Sequence, residues 1–420
     1  RNRVYRKGFS GKKGLRFAEV LELCRLGREV LRRTIHANQR PDGLYHSYNL
    51  LRFSRDGRQA HVDHLYEMLE GQVAVLESGM LSTAETIELL ASLRKSKLFR
   101  PGQNSYVLYP DRELPRFFEK NVLPAEVVKA SELLQKLIGE GDERIIVRDR
   151  TGSVRFAAEL SNAAALRKRL DELAEDAEYK DAVREERQDI MEAYEKVFQH
   201  ARFTGRSGGM FGYEGLGCIY WHLVGKLVLA VNAAFHRTAE EEDEPAEVAA
   251  ELKDLYYEIR DGLGFNKSPE EWGAYPLDAY SHTNGAGQAR QPGMTGQVKE
   301  EILARWSELG VRVEEGCITF VPGLLRRDEF GRESMTFEYV DLDHESQTLE
   351  LPADSIAFTC WQVPVIYRLS DQPGIVIHRR DGNSRRIHGS LLDLKTSQSL
   401  FRRTGEITLI EVDISRAALV

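Results

Sequence analysis

The sequence predicts a mainly α chain: an (α/α) toroid-like helical domain over residues 1–310, then a β-rich C-terminal segment over 311–420. Three observations carry that expectation. Apolar residues recur at a helical period through most of the first part. An amphipathic helical pattern runs into a glycine- and aromatic-rich loop, with a second helix after it, around residues 38–50, 204–217 and 263–297. Helix pairs whose polar, aromatic loops gather at one end are how an (α/α) toroid builds a cleft. Beyond Val311 the residues alternate or come in β-branched runs, as strands do. No fixed repeat period is present, so the array is not a solenoid.

Residues 1–14 are basic and glycine-bearing and read as an opening loop. Phe17, Val20, Leu21, Cys24, Leu31 and Ile35 then follow a helical period that ends near Ala37. Pro41 stops the helix, and Asp42-Gly43 turns the chain. A second helical pattern runs from about Val62 through Leu65, Leu69, Val73 and Leu76 to Gly79. Ser82 or Thr83 caps a third, which carries Ile87, Leu90 and Leu93. The run S-Y-V-L-Y before Pro110 is strand-like, and residues 126–138 read as a helix.

Residues 143–160, containing I-I-V-R-D-R-T-G-S-V-R-F, read as a small hairpin insertion with its turn at Arg150 to Gly152. A charged, solvent-facing helix is expected over 163–178 and an amphipathic one over 183–201. The helix expected over 218–235 is apolar on nearly every side, the mark of a buried helix. Helices over 246–260 and 298–309 frame the third and longest loop.

The 420 residues suffice for a large core, in two or three domains or in one helical domain with an appendage. A formal charge of −8 argues against a nucleic-acid partner, and the scattered arginine pairs are balanced by acids. The 4 cysteines stand far apart without a C-x-x-C pair, so neither a zinc cage nor a disulfide framework is expected. Cys24 and Cys218 lie in apolar helical patterns and read as buried small hydrophobes. No apolar run is long enough to span a membrane, and no leader pattern opens the chain at Arg1-Asn2-Arg3. A soluble protein is expected, cytoplasmic rather than exported, with the remaining domains of a longer chain as partners.

Several motifs fail on context. Gly205-Arg206-Ser207-Gly208-Gly209 matches G-x-S-x-G, but a helix precedes it where a nucleophile elbow needs a strand. His61 and His64 lack an evident third ligand and read as a solvated helix start, so no metal is expected. A P-loop, a dinucleotide fingerprint and H-E-x-x-H are all missing, so no cofactor is expected either.

The third loop, residues 265–301, crowds Trp272, Tyr275, Asp278, Tyr280, His282, Arg290, Gln291 and Lys299 among five glycines and three prolines. Loops this long are functional or disordered, and an aromatic-rich one is poorly described as disordered. Rings beside hydrogen-bonding side chains suit a sugar, whose CH faces stack while its hydroxyls pair. The plainer alternative is a loop strapped over the core by its aromatics.

In the second loop, Glu214 precedes the buried helix, whose positive end stabilises a carboxylate. Partial burial among aromatics would suit it to acid–base work, and the alternative is a plain helix cap. Trp221 and His222 follow. His222 is either a ligand group or a hydrogen-bonded core histidine. The first loop offers Asp42, Tyr45 and His46, as a subsite or as structure. Arg290, Gln291 and Thr295, followed by Lys299 and Glu300 in the next helix, form a basic stretch near a helix start that could take a phosphate.

The phrases G-F-S-G-K-K-G, D-G-L-Y-H-S-Y-N, F-G-Y-E-G-L-G-C-I-Y-W-H and Y-S-H-T…Q-P-G-M-T-G-Q-V-K-E-E-I-L span most of the chain. They resemble the C-terminal region of large bacterial cellobiose-phosphorylase-like and glycoside-hydrolase-like proteins. The resemblance implies an (α/α) toroid acting on oligosaccharides. The chain departs from disaccharide phosphorylases in having no W-N-D segment for their general-acid Asp and no W-T-W-Y-T-G-type phosphate loop. No catalytic residue is carried over from them.

The expectation is therefore a carbohydrate-active enzyme, cleaving glycosidic bonds by hydrolysis or phosphorolysis. Glu214, Asp278 and His282 are the catalytic candidates. Asp42, Tyr45, His46, Trp221, His222, Trp272, Tyr280, Arg290, Gln291 and Lys299 are the substrate-binding ones. Its partners would be an oligosaccharide and inorganic phosphate. The alternative is a non-catalytic glycan-binding or assembly domain of a larger protein.

Overall fold

A computed structural model describes the chain apart from residues 13, 55, 112, 114–115, 200–217, 242–244, 264–281, 285–296, 417–418 and 420. The chain divides into two compact units, residues 1–72 with 107–218, and residues 73–106 with 219–420. Among the described residues 45% are helical and 22% are in strands, with several small sheets and one of five strands. The expectation of a mainly α chain built on an (α/α) toroid is thereby corrected. Amphipathic helices bury one stripe equally well against each other or against a sheet, so their periodicity does not identify a toroid.

The first unit opens with helices α1 (Asn2–Lys7) and α2 (Phe17–Ala37). Strands β1 (Asn49–Phe53) and β2 (Ala60–His64) then pair antiparallel, from Asn49↔His64 to Phe53↔Ala60. The helix expected from Val62 begins instead at Leu69, as α3 (Leu69–Glu77), in which the division between units falls. Turn chemistry explains the difference. Asp56 Oδ1 accepts from Ser54 Oγ and Arg58 N, and Gly57 supplies a φ of +67°, which closes a hairpin just before the apolar run. None of α2's residues is buried; Phe17, Leu23, Val30 and Leu31 are all exposed.

Between them, the second unit contributes α4 (Thr83–Lys95), capped by Ser82 and Glu85, and the short pair β3 (Phe99–Arg100) and β4 (Ser105–Tyr106). Returning to the first unit, the chain forms α5 (Ala125–Ala130), α6 (Glu132–Glu140), the antiparallel pair β5 (Ile146–Arg148) and β6 (Val154–Phe156), α7 (Ala163–Glu175) and α8 (Lys180–Phe198). These elements share one core. Leu133, Leu134 and Leu137 of α6 meet Leu166, Leu170 and Leu173 of α7 and Val183, Ile190 and Tyr194 of α8, all buried. Asp149 accepts backbone N–H bonds from Thr151 and Ser153 while Gly152 takes φ +86°, which turns the hairpin. Glu186 of α8 caps α6 from outside, accepting from Glu132 N at 2.7 Å.

The rest of the second unit begins at Ile219, within strand β7 (Cys218–Tyr220), which forms a two-stranded sheet with β8 (His282–Asn284). Helix α9 (Trp221–Glu240) starts directly after β7 and is buried on nearly every side. It packs against α10 (Ala246–Arg260), α11 (Gln297–Glu308) and α4.

Beyond it, β9 (Val311–Glu314) and β10 (Cys317–Phe320) are joined by Glu315 and Gly316, both with positive φ, the turn that suits strand twist. β11 (Met335–Val340) pairs with β12 (Ser346–Leu351). The five-stranded sheet is built from β13 (Ser355–Cys360), β14 (Val363–Leu369), β15 (Gly374–Arg379), β16 (Ser384–Ile387) and β17 (Ile407–Ile414), with helix α12 (Leu394–Phe401) before its last strand. Its order is β13-β14-β17-β15-β16, and only the β14–β17 pair is parallel. Val365, Tyr367, Ile375, Ile377 and Ile410 fill its core.

Candidate functional site

Pairing of β7 with β8 brings together the strand that ends the second loop and a strand inside the third. At the head of α9, just past β7, His222 Nε2 lies 2.7 Å from Glu300 Oε1, in the first turn of α11. The carboxylate is 4% exposed and the imidazole 21%, so the pair faces outward through the histidine. Tyr220, the last residue of β7, places its hydroxyl 3.3 Å from His222 Nδ1, and the two rings meet edge to face. Lys299 Nζ is 3.5 Å from Glu300 Oε1 and is itself exposed. Glu300 Oε2 is buried and has no hydrogen-bond partner among the described residues. An acceptor left in this state costs free energy unless something reaches it.

Further along the same helices, polar groups fasten α9, α10 and α11. Ser307 Oγ donates to Asn232 Oδ1 at 2.6 Å, which leaves His236 Nε2 to donate to Ser307 Oγ at 2.8 Å. Burial, helped by the Arg312 charge, pushes the His236 pKa down to about 3. Glu308 accepts from Tyr256 Oη at 2.5 Å, Arg305 Nη1 at 2.9 Å and Arg260 Nε at 3.2 Å. Lys253 Nζ donates to Gly323 O, and burial lowers its pKa to about 8. These groups hold the helices whose ends carry His222 and Glu300.

The sequence candidates fall in different places. His222 and Lys299 both meet Glu300. Trp221, next to His222, is fully buried in the core and offers no surface to a ligand. His282 lies on β8. Glu214, Asp278, Trp272, Tyr280, Arg290 and Gln291 lie outside the described residues, as does the G-x-S-x-G match at 205–209.

Asp42, Tyr45 and His46 belong to the first unit. Arg40 pairs with Asp42 at 2.7 Å and holds its carboxyl below the usual range. Tyr45 is buried, its backbone bracketed by the Gln72 amide: Tyr45 N donates to Oε1 at 2.8 Å and Nε2 donates to Tyr45 O at 2.9 Å. His46 stacks on His64 with centroids 3.9 Å apart, and burial lowers its pKa. His61 and His64 lie on a strand rather than at a helix start, and among the described residues no group of three or more His, Cys, Asp or Glu could hold a metal.

Sequence reasoning missed the roles of Tyr220 and Glu300. A signal for Glu300 was present: Glu300, Ala304 and Glu308 recur at four-residue spacing, and all three are buried. Two carboxylates on one buried helical face require partners.

Comparison with known protein families gives a match to part of the chain. Residues 114–201 match the family described as GH149 phosphorylase insertion domain 2. The matched stretch takes in α5 to α8, the module with its own hydrophobic core. No curated protein matches the chain. The match supports a relationship to glycoside phosphorylases, carried by this module. Among the described residues, no helix is long and apolar enough to cross a membrane.

Proposed function

We propose that the chain is part of a carbohydrate-active phosphorylase that breaks glycosidic bonds of oligosaccharides by passing the glycosyl group to inorganic phosphate. The observation that carries this reading is the match of residues 114–201 to a phosphorylase insertion domain. In such a reaction the C1–O bond to the leaving sugar breaks as a carboxylic acid protonates that oxygen. A phosphate oxygen then forms the new bond to C1.

Glu214 and Asp278 are the carboxylates proposed for this work. They stand four residues ahead of Cys218 and His282, the first residues of two strands that pair. His282, Arg290, Gln291 and Lys299 would position the attacking phosphate. His222, Trp272 and Tyr280 would meet the sugar. The exposed ammonium of Lys299 in the first turn of α11 supports an anion there, where helix N–H groups point outward.

The test is incubation of the protein with a panel of oligosaccharides and phosphate, with glycosyl 1-phosphate as the product measured. A second reading is a glycan-binding or assembly unit without chemistry, favoured by the fact that the matched model describes an insertion domain. It predicts glycan binding with neither bond cleavage nor exchange.

A further inference from the structure

We propose that the second unit carries a binding site for a sugar phosphate, built by three turns and anchored by Arg403. It shares no residue with the His222–Glu300 pair and does not depend on the phosphorolysis reading. The turns that join β11 to β12, β15 to β16 and α12 to β17 line a cavity of about 690 Å³. Small-molecule sites commonly have volumes of roughly 300–1,000 Å³. Arg379, Arg380 and Arg403 bring three guanidinium groups to this one, and Asp343, Asp381 and Glu406 bring three carboxylates.

Five of the six charges already have company. Asp343 Oδ2 takes Arg380 Nη2 at 2.8 Å, and Glu406 Oε2 lies 3.5 Å from Arg379 Nη1. Asp381 accepts from Asn383 N and Nδ2, both at 2.9 Å. Arg403 has no ion-pair partner among the described residues. The mixed lining selects the ligand. A bare phosphate would meet carboxylates as well as guanidiniums. A sugar phosphate answers both, because its phosphoryl oxygens take the forked N–H donors while its hydroxyls donate to spare carboxylate lone pairs.

The backbone singles out Arg403. Helix α12 ends in a Schellman pattern, with Thr404 N donating to Ser399 O at 3.1 Å and Arg403 N to Leu400 O at 2.9 Å. Arg403 therefore holds the left-handed position of that motif, at φ +50°, where glycine is usual. Strain of this kind is a mark of function when the side chain it carries has a task. Arg380 N donates to Glu406 O at 2.9 Å, which ties the β15–β16 turn to the stretch that carries Arg403.

The test is calorimetry at about pH 7.5, where a phosphate ester is mostly dianionic, and at low ionic strength. Glucose 6-phosphate, glucuronate, glucose and inorganic phosphate are the probes, and hydrogen exchange locates the ligand. Glucose 6-phosphate should bind about tenfold more tightly than the other three and slow exchange at residues 379–382 and 402–406. Arg403→Gly suits the left-handed position, so it should keep the melting temperature while weakening glucose 6-phosphate at least about tenfold. No binding of glucose 6-phosphate, equal affinity in Arg403→Gly, or protection only outside these turns overturns the site. Equal affinity for glucuronate or inorganic phosphate overturns the sugar-phosphate assignment. Loss of the phosphorolysis reading alters none of these expectations, so the two fail separately.

Discussion

His222 Nε2 and Glu300 Oε1 lie 2.7 Å apart, joining the first turns of two helices across 78 positions of chain. Nothing local to either residue creates this contact; it exists because α9 and α11 pack side by side. Residues joined in this way should be energetically coupled. A double-mutant cycle with His222→Ala and Glu300→Ala is expected to give an interaction of about 1–3 kcal/mol, read by urea denaturation. Additive single effects would show that the pair is incidental.

Glu308 is a stronger anchor. It is buried, and three donors from α10 and α11 converge on it. Glu308→Ala would leave the Arg260 and Arg305 charges without it and should cost about 3–5 kcal/mol in denaturant unfolding.

His236 sets an acid limb. Its folded pKa of about 3 lies below its ordinary 6.5, so the unfolded chain binds the extra proton between those values. The stability owed to neutral His236 is complete above about pH 6.5 and is lost as pH falls toward 3. The slope should be up to about 1.4 kcal/mol per pH unit, and it should flatten in His236→Gln.

Much of the secondary structure was legible residue by residue. The hairpin at Ile146–Arg148 and Val154–Phe156 was readable because β-branched runs flank the Asp149–Gly152 turn. The burial of α9 was readable from its apolar residues on all sides. The toroid was an overreading, because amphipathic helices also pack on the small sheets found here. The β1–β2 ribbon was missed because its side chains are mostly exposed and its turn depends on Ser54 and Asp56 rather than on a hydrophobic pattern. Within the site, aromatic content could not separate rings that line a surface from rings that fill a core, and Tyr45 and Trp221 proved to be core. Glu300 was read only as a neighbour of Lys299 at a helix start, because its pairing with His222 spans 78 residues of chain.

Two leucines measure the contrast between covered and uncovered helices. Leu170 of α7 is fully buried, whereas Leu23 of α2 is 71% exposed. Leu170→Ala should cost about 2–5 kcal/mol. Leu23→Ala should fall within about 0.5 kcal/mol of the unmodified chain. Thermal and denaturant unfolding of the two variants checks both.

Gly310 ends α11 with φ +69°, and a Cβ there would fall 2.1 Å from the Val321 carbonyl carbon. Backbone atoms cannot swing aside as a side-chain tip would. Gly310→Ala should therefore cost about 2–4 kcal/mol, combining left-handed strain with overpacking, again by denaturation.

The central claim is that this chain serves phosphorolysis of oligosaccharides. The most direct measurement is phosphate-dependent formation of glycosyl 1-phosphate from an oligosaccharide panel, comparing the unmodified protein with Glu214→Gln. The account predicts product that requires phosphate and is abolished in Glu214→Gln while the fold is kept. Sugar released equally well without phosphate, or binding with no product from any oligosaccharide, would contradict it.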